Sequence, residues 1–354
     1  MIVAGIDIGS RGAKGILMKD GEIISSQIGD TGPESVKTSY MTMDRLLNGT
    51  GLSLKDIHYV VATGYGRVLV PFANENISEI SCHARGITFY HPSVRTILDM
   101  GGQDCKAINC TADGAVTNFV MNDKCAGGTG RFLEMIADVL GVRLTDIGAL
   151  ALESKSEIPF NTICAVFAKS EAITALRKGV SKPDILAGLN EAIATRCLNL
   201  LKRVTIQNDF TITGGIAKNK GMVNRIEKKV GLKAVLAPDP QLMGALGAAI
   251  FAADRLNGGK IKEMKVHYGY TDATGDYFIS VDRNKCDGCK LCVSACPAAI
   301  FEMAVGDSGA PKAAVRESAR KRLAQLCPGH DKCKAAIGKT CHAVCGPEAI
   351  GHSW

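Results

Sequence analysis

The first two-thirds of the chain alternates short apolar runs with longer amphipathic stretches. Apolar or alternating runs bounded by Gly, Asp or Asn, such as "IVAGIDIG" and "VRTILDMGG", predict strands and hairpins. Apolar residues at helical spacing predict helices over 122–140, 165–178, 184–205, 219–229 and 241–255. Alternation of strands with helices indicates an α/β domain.

The hydrophobic pattern also divides the chain. We assign 1–254 to the α/β domain and interpret 255–276, which is polar with no clear period, as a linker. Short strands and cysteine-bearing turns are predicted over 277–354. The longest apolar runs fall far short of a bilayer span, and the N-terminus has no signal-peptide pattern. We therefore expect a cytoplasmic protein that does not enter a membrane.

One short motif occurs twice, each time after an apolar strand. "DIGSRGAK" (7–14) and "DMGGQDCK" (99–106) both read Asp-x-Gly-x-x-x-x-Lys. The repeat suggests duplicated halves that face each other across a cleft. Glycine lets such a turn approach a phosphate closely, Asp can hold Mg²⁺ through water, and Lys or Ser can meet phosphate oxygens. Two ordinary hairpin turns are the alternative.

Two further glycine-rich elements follow. "ITGGIAKN" (212–219) reads as a strand leading into a helix, and "PDPQLMGALGAAIFA" (238–252) as a helix with small residues every few positions. Such a helix more often reflects close packing than ligand contact. The sequence has neither a Walker A motif nor a GxGxxG fingerprint. In order, the four elements resemble the phosphate and adenosine motifs of the acetate kinase/sugar kinase/Hsc70/actin superfamily.

Fourteen cysteines change the picture, because eight of them lie between Cys286 and Cys345. Without a secretion signal, this clustering favours metal binding over disulfides. The net charge of +7 raises the question of nucleic acid. No Lys/Arg block and no basic stripe with interleaved aromatics accompanies it, so we expect no nucleic-acid binding.

The C-terminal cysteines predict two [4Fe-4S] clusters. "CDGCKLCVSACP" (286–297) has the spacing of bacterial ferredoxins, and 327–345 holds an expanded second set that ends in the same way. In two-cluster ferredoxins each fourth cysteine serves the other cluster. One cluster would be held by Cys286, Cys289, Cys292 and Cys345, and the other by Cys296, Cys327, Cys333 and Cys341. A zinc site is the competing interpretation.

Within the superfamily, the first 254 residues resemble the ATP-dependent activators of 2-hydroxyacyl-CoA dehydratases and the ATPase subunits of benzoyl-CoA reductase. The motifs that carry this resemblance are "GIDIGS" (5–10), "ATGYGR" (62–67), "LDMGGQDCK" (98–106), "NDKCAGGTGRFLE" (122–134), "ICAVFAKSE" (163–171) and "TGGIAKN" (213–219). One departure is Gly127, where activators more often carry Ala. The resemblance implies a duplicated actin/Hsc70-like ATPase fold, followed here by a small α+β ferredoxin-like domain.

The resemblance also implies a cluster between two chains. Cys125 and Cys164 each lie near the N-terminus of a predicted helix, where the macrodipole favours a thiolate. Two thiolates cannot complete a [4Fe-4S] cluster, but a two-fold dimer supplies four. The cluster would bridge a homodimer, or a heterodimer with a paralogous ATPase subunit. A small buried hydrophobe is the alternative for either cysteine, and the other four cysteines of this region are interpreted as structural.

Position suggests roles in binding ATP or ADP with Mg²⁺. Asp7 and Asp99 would organise Mg²⁺ and its waters, and either Gln103 or Asp104 would orient the attacking water. The phosphates and the adenosine would be bound by Gly9, Ser10, Lys14, Gly101, Gly102, Gly214, Gly215 and Lys218.

These features favour an ATP-hydrolysing, low-potential electron-transfer protein. A low-potential ferredoxin or flavodoxin would reduce the C-terminal clusters, and electrons would pass to the bridging cluster. ATP hydrolysis would gate transfer to an iron–sulfur acceptor: a 2-hydroxyacyl-CoA dehydratase, a benzoyl-CoA reductase core or a double-cubane-cluster protein. The rival functions are a small-molecule kinase with a redox module and an electron carrier that does not hydrolyse ATP.

Overall fold

The chain consists of two compact units, Met1–Gly259 and Lys260–Trp354. The structure, a computed structural model, describes residues 1–122, 129–156, 158–160, 165–257, 265–272, 275–282, 285–305, 311–338 and 340–353. The domain boundaries expected from the sequence stay a prediction.

A five-stranded sheet forms the first half of the first unit. Its strands are β1 (Ile2–Ile8), β2 (Gly12–Lys19), β3 (Glu22–Asp30), β4 (Tyr59–Thr63) and β5 (Glu75–Asn76), in the order β3-β2-β1-β4-β5. The pairs β1–β2 and β2–β3 are antiparallel, whereas β4 runs parallel to β1 and to β5. Helix α1 (Ser35–Leu47) packs on the face that contains Gly15 and Ile6, and α8 (Met243–Leu256) packs on the opposite face, against Gly5.

A four-stranded sheet repeats this arrangement in the second half. Its strands are β6 (Thr96–Met100), β7 (Cys105–Cys110), β8 (Val116–Asn122) and β9 (Phe210–Thr213), in the order β8-β7-β6-β9. As in the first sheet, the hairpins are antiparallel and the last strand is parallel to the first. The two copies of the Asp-x-Gly motif therefore occupy equivalent hairpins, β1–β2 and β6–β7.

Five helices of the first unit correspond to ranges that the apolar spacing predicted. They are α3 (Gly130–Leu140), α5 (Ala165–Arg177), α6 (Lys182–Lys202), α7 (Lys220–Val230) and the α8 already described. Helices α1, α2 (Glu79–Tyr90) and α4 (Ile147–Leu152) were not predicted from the sequence. The helix predicted to begin at residue 122 begins instead at Gly130. Asn122 belongs to β8, where it pairs with Cys105 and so cannot take helical backbone angles.

The second unit is built from short strands and short helices. A three-stranded sheet contains β10 (Lys265–Asp272), β11 (Gly275–Asp282) and β14 (Ile350–His352), and a hairpin contains β12 (Phe301–Val305) and β13 (Pro311–Val315). The helices are α9 (Leu291–Ala295), α10 (Glu317–Arg320), α11 (Leu323–Leu326) and α12 (His330–Ile337).

Strand β10 lies within 255–276, the stretch interpreted as a linker. It pairs along its full length with β11, and Tyr268 is buried. The strand was not predicted because the stretch is rich in Lys, His, Tyr and Asp, and the apolar face of the strand consists largely of aromatic rings. Across the ranges that the structure describes, no helix is long and apolar enough to span a membrane.

The small residues of α8 allow close packing. A Cβ at Gly247 would lie 1.8 Å from the backbone oxygen of Cys82 in α2, and one at Gly5 would lie 2.0 Å from the backbone oxygen of Ala245. These neighbours are backbone atoms, which cannot rotate away. The close-packing interpretation of this helix therefore accounts for Gly247.

We expect Gly247→Ala to lower the free energy of unfolding by about 3 kcal/mol, because the added methyl forces α2 and α8 apart. Gly32→Ala is the matched control, since its Cβ would lie 3.7 Å from its nearest neighbour, Thr38 Oγ1. Urea unfolding of both variants measures the difference. Equal midpoints and slopes in the two variants would contradict the packing account.

Candidate functional site

The repeated motif places an acidic and a basic side chain opposite each other in both halves. Asp7 is the register partner of Lys14 in the β1–β2 hairpin, and Asp99 is the partner of Lys106 in the β6–β7 hairpin. Lys14 Nζ lies 2.9 Å from Asp7 Oδ2, and Lys106 Nζ lies 3.6 Å from Asp99 Oδ2. Both carboxylates are buried. The duplication seen in the sequence is thus a duplication of charged pairs.

A cleft of about 690 Å³ opens between the two halves. Its volume is in the range of pockets that hold small ligands and cofactors. The residues that were assigned to the nucleotide site and that line the cleft are Asp7, Gly9, Ser10, Lys14, Asp99, Gly101, Gly102, Asp104, Gly214, Gly215 and Lys218. Gln103, which the structure describes as exposed, does not line it.

The backbone of the turns is tightly constrained. The Gly9 N–H donates to the Gly12 carbonyl at 3.0 Å, and the Gly101 N–H donates to the Asp104 carbonyl at 3.0 Å. Gly214 has φ +85°, and a Cβ there would lie 2.3 Å from the backbone oxygen of Met100. Only glycine fits at Gly214, which lets the end of β9 approach the Asp99 hairpin.

Several charged groups of the cleft were missed by sequence reasoning. Lys106 is almost fully buried, and its Nζ lies 2.7 Å from Asp104 Oδ2 and 3.8 Å from Glu79 Oε1, in addition to its contact with Asp99. The repeat itself could have identified Lys106, because it occupies the position of Lys14. Glu79 belongs to α2, where no motif marked it.

A buried histidine completes the surroundings of Asp99. The Thr213 hydroxyl donates to Asp99 Oδ1 at 3.0 Å, and His83 Nδ1 lies 2.9 Å from Thr213 Oγ1 and 3.3 Å from Asp99 Oδ1. His83 comes from α2 and Thr213 from β9, so two elements distant in sequence fix one carboxylate. Nothing in the local sequence distinguished His83 from an ordinary core histidine.

The network shifts the ionisation of its members. Burial alone would raise the pKa of Asp99, but His83, Lys106 and the Thr213 hydroxyl outweigh it, so the pKa lies below the ordinary 3.8. Burial alone would lower the pKa of Lys106, but the carboxylates of Asp104, Asp99 and Glu79 outweigh it, so the pKa lies well above 10.5. Both groups are charged at neutral pH. The cleft floor therefore combines a fixed cation with several carboxylates.

Helix α3 is attached to the turns of both halves. Its Gly130 N–H donates to the Gly101 carbonyl at 3.0 Å, and its Arg131 N–H donates to the Gly102 carbonyl at 2.9 Å. From the other half, Arg11 Nε lies 3.0 Å from Glu134 Oε1, and Arg11 Nη2 lies 2.6 Å from Glu134 Oε2. This two-point ion pair crosses the cleft between the first Asp-x-Gly turn and α3.

The eight C-terminal cysteines surround two cavities in the second unit. One is lined by Cys286, Cys289, Cys292 and Cys345, and the other by Cys296, Cys327, Cys333 and Cys341. These are the two groupings expected from the crossed pattern of two-cluster ferredoxins. Each set combines three cysteines from one stretch of sequence with a single cysteine from the other.

Backbone N–H groups contact two sulfurs of the first set, and His352 Nε2 lies 3.7 Å from Cys341 Sγ of the second set. The Ala313 N–H points to Cys286 Sγ at 3.4 Å, and the Ala349 N–H to Cys345 Sγ at 3.2 Å. Burial and neighbouring sulfurs raise the pKa of Cys292 to about 11 and that of Cys341 to about 12. Four thiolates so close together repel one another, so a bound cation is needed to ionise them. The donor set fits an iron–sulfur cluster.

The remaining cysteines fall into two groups. Cys125 and Cys164, the predicted ligands of a bridging cluster, lie outside the described residues. The structural cysteines of the first unit, Cys82, Cys105, Cys110 and Cys197, are all buried. Their burial agrees with a packing role.

The fold and sites together define a two-lobed nucleotide-binding protein joined to a unit with cysteine-lined cavities. Residues 4–252 match the BadF/BadG/BcrA/BcrD ATPase family, and residues 278–301 match a 4Fe-4S binding domain. The chain belongs to the BadF/BadG/BcrA/BcrD ATPase family. This confirms the family expected from the sequence.

This chain matches several known proteins over almost their full length. The 2-hydroxyisocaproyl-CoA dehydratase activator of Clostridioides difficile is 41% identical over 271 residues, which span 75% of this chain and 99% of the relative. The activator of lactoyl-CoA dehydratase of Anaerotignum propionicum is 42% identical over 71% of this chain and 97% of the relative. A solved structure of the Clostridium difficile activator with bound ADPNP has a TM-score of 0.70 at 39% identity, covering 73% of this chain and 96% of that one. The expected duplicated actin/Hsc70-like fold with a C-terminal ferredoxin-like domain is confirmed.

We expect Lys106→Met to lower the free energy of unfolding at pH 7 by about 3 kcal/mol, because the carboxylates around it lose their buried cation. In the wild type, the low pKa of Asp99 stabilises the fold above about pH 4, and this contribution is lost as pH falls through the folded pKa. In the variant the pKa of Asp99 rises, so stability should increase as pH falls from 7 to 5.

Chemical unfolding at pH 5, 6 and 7 measures this change of slope. Lys233→Met is the control, because the Lys233 side chain is exposed and pairs with Glu227 outside the cleft. A Lys106→Met variant with the stability and pH profile of the wild type would contradict the network described here.

Proposed function

We propose that the chain is an ATP-hydrolysing electron-transfer protein that reduces and activates a partner iron–sulfur enzyme. The observation that carries this proposal is the presence in one chain of a cleft with duplicated Asp–Lys pairs and of two cavities each lined by four cysteines. Relatives named as dehydratase activators, similar over the whole first unit, support the same function. An iron–sulfur enzyme that needs a low-potential electron is the acceptor.

The cleft would bind ATP with Mg²⁺ through groups from both halves. Asp7 and Asp99 would hold the water ligands of the cation, which neutralises charge on the phosphates. Ser10, Lys14 and the backbone of Gly101 and Gly102 would contact phosphate oxygens. Gly214, Gly215 and Lys218 line the part of the cleft proposed for the adenosine.

The position of Asp104 favours it over Gln103 as the group that orients the attacking water. Asp104 lines the cleft and is fixed by Lys106, whereas Gln103 is exposed outside the lining. A fixed carboxylate can accept a hydrogen bond from a water and hold it in one orientation.

The second unit would receive electrons from a low-potential ferredoxin or flavodoxin. Each of its two cysteine sets would ligate one [4Fe-4S] cluster, which stores a single electron at low potential. Cys125 and Cys164 would ligate a further cluster shared by two chains. Moving one electron uphill by about 0.3 V costs about 7 kcal/mol, which a nucleotide cycle can supply.

We expect Asp7→Asn to lower the rate of ATP hydrolysis by about a hundredfold, because a neutral amide organises the cation and its waters more weakly. The iron content should not change, since the cysteines are untouched. Asp20→Asn, at an exposed turn, is the matched control. Steady-state phosphate release, measured with and without reductant, tests the change. Wild-type rates in Asp7→Asn would refute the nucleotide site.

Iron content tests the cluster assignment. Two clusters per chain and one shared by a dimer give about ten irons per chain. About eight would show that no shared cluster forms, and about twelve that each chain completes a third cluster itself. Anoxic iron and sulfide analysis, with the dimer mass measured separately, distinguishes these values.

The shared cluster can be tested apart from the others. A chain ending near residue 262 should still dimerise and retain one cluster per dimer, and Cys125→Ala in it should remove that cluster. Cys110→Ala is the control, because that thiol is buried in the first unit. Retention of iron by the Cys125→Ala, Cys164→Ala double variant would contradict the assignment.

A further inference from the structure

We propose that Arg11 exchanges partners when ATP binds, leaving Glu134 for the terminal phosphate, and that Glu134 thereby transmits the nucleotide state to helix α3. The proposal rests on the proposed function, because it requires ATP in the cleft. It assigns roles to Arg11 and Glu134, which position α3 and do not take part in the chemistry of hydrolysis.

The position of Glu134 calls for such a role. It is a carboxylate that lines a cleft suited to a polyphosphate, where a second anion is unfavourable. Both of its oxygens are held by the Arg11 guanidinium. Arg11 belongs to the turn between Ser10 and Gly12, so it lies where phosphate oxygens are expected. Glu134 and the terminal phosphate would thus compete for one planar cation.

The path of the Arg11 side chain is fixed by the second turn. A Cβ at Gly102 would lie 2.6 Å from Arg11 Cγ and 3.1 Å from Ser10 Oγ. The Arg11 side chain therefore crosses directly over Gly102 to reach α3. Any ligand that separates or draws together the two turns changes this crossing.

The N-terminal part of helix α3 makes its contacts with the two hairpin turns on the side that faces the cleft. Two come from the N–H groups of Gly130 and Arg131, which donate to the second turn, and the third is the Glu134 ion pair with the first turn. The opposite side of the helix, including Phe132 and Ile136, packs in the core. Among the described residues, loss of the ion pair leaves α3 joined to only the second of the two turns.

The ion pair between Arg11 and Glu134 is weak enough for a phosphate to replace Glu134 as the partner of Arg11. The Arg11 and Glu134 side chains are 48% and 30% exposed. A pair this exposed contributes at most about fivefold to an equilibrium. A bidentate contact of Arg with a phosphate is stronger, because the phosphate carries more charge. ATP can therefore draw Arg11 away, and loss of the terminal phosphate returns it to Glu134.

The exchange of partners by Arg11 would also affect the segment that precedes α3. In the sequence, Cys125, which is proposed to hold the shared cluster, lies five residues before Gly130, the first residue of α3. A change in the attachment of α3 therefore acts on the chain next to that cysteine. Arg11 would link the terminal phosphate to the electron-transfer site.

The test compares Glu134→Gln and Arg11→Gln with the wild type, using the full chain under anoxic conditions. Calorimetry gives the dissociation constants of ADPNP and ADP, and hydrogen exchange follows the amides of 130–140. In the wild type, ADPNP should speed exchange in α3 relative to ADP. Lys233→Gln, which removes an exposed ion pair outside the cleft, is the control and should behave as the wild type.

Opposite effects on affinity are expected from the two variants. Glu134→Gln should bind ADPNP about fivefold more tightly, because Arg11 is free, with little change for ADP. Arg11→Gln should bind ADPNP about tenfold more weakly, since it lacks the charge-assisted contact. Both should lose the difference in α3 exchange between the two nucleotides.

Two results would overturn the proposal, and they are distinguishable. If the wild type binds ADPNP but Glu134→Gln keeps both its affinity and its exchange difference, the partner exchange is wrong and the proposed function stands. If the wild type binds no nucleotide, both fail. Arg11→Lys provides a second check, because it keeps the charge and loses the two-point geometry: it should retain part of the ADPNP affinity and none of the exchange difference.

Discussion

The pairing of a buried carboxylate with a lysine across a hairpin is the interaction on which the first unit depends. It occurs twice, as Asp7 with Lys14 and as Asp99 with Lys106, at the same register position of equivalent hairpins. Burying these charges is costly unless each is paired and hydrogen-bonded. The sheets, the helices behind them and the glycine turns hold the two pairs at the edges of one cleft, where a charged ligand can use them.

Both units bring groups that carry or can carry negative charge close together, but the groups that surround them differ. Around Lys106, three carboxylates share one buried ammonium group. In the second unit, the four cysteines of each set lie close together. Among the described residues that line the two cavities, Lys290 beside the first set is the only Lys or Arg side chain. Thiolates in such surroundings need a metal. The cleft and the two cysteine-lined cavities thus both concentrate acidic or thiol groups.

Sequence patterns predicted much of this arrangement. The Asp-x-Gly repeat indicated the duplicated halves, and the cysteine spacing indicated two crossed sets, because both features are local and periodic. Glu79 and His83 were not predicted, since they reach the cleft from α2 only after the chain folds. The ion pair of Arg11 with Glu134 joins residues 123 positions apart, and no local motif encodes such a contact. Strand β10 was missed because two of the three side chains that pack against the core, Tyr268 and Tyr270, are aromatic, and most of its other residues are polar.

The coupling of ATP to electron delivery is the central claim, and one anoxic stopped-flow measurement tests it most directly. The chain, reduced and freed of excess reductant, is mixed with a low-potential viologen acceptor and with Mg²⁺ plus ATP, ADP or no nucleotide, and oxidation of its clusters is followed by absorbance. The account predicts that ATP speeds cluster oxidation and that phosphate is released in the same reaction. Equal rates of oxidation in all three mixtures would contradict it.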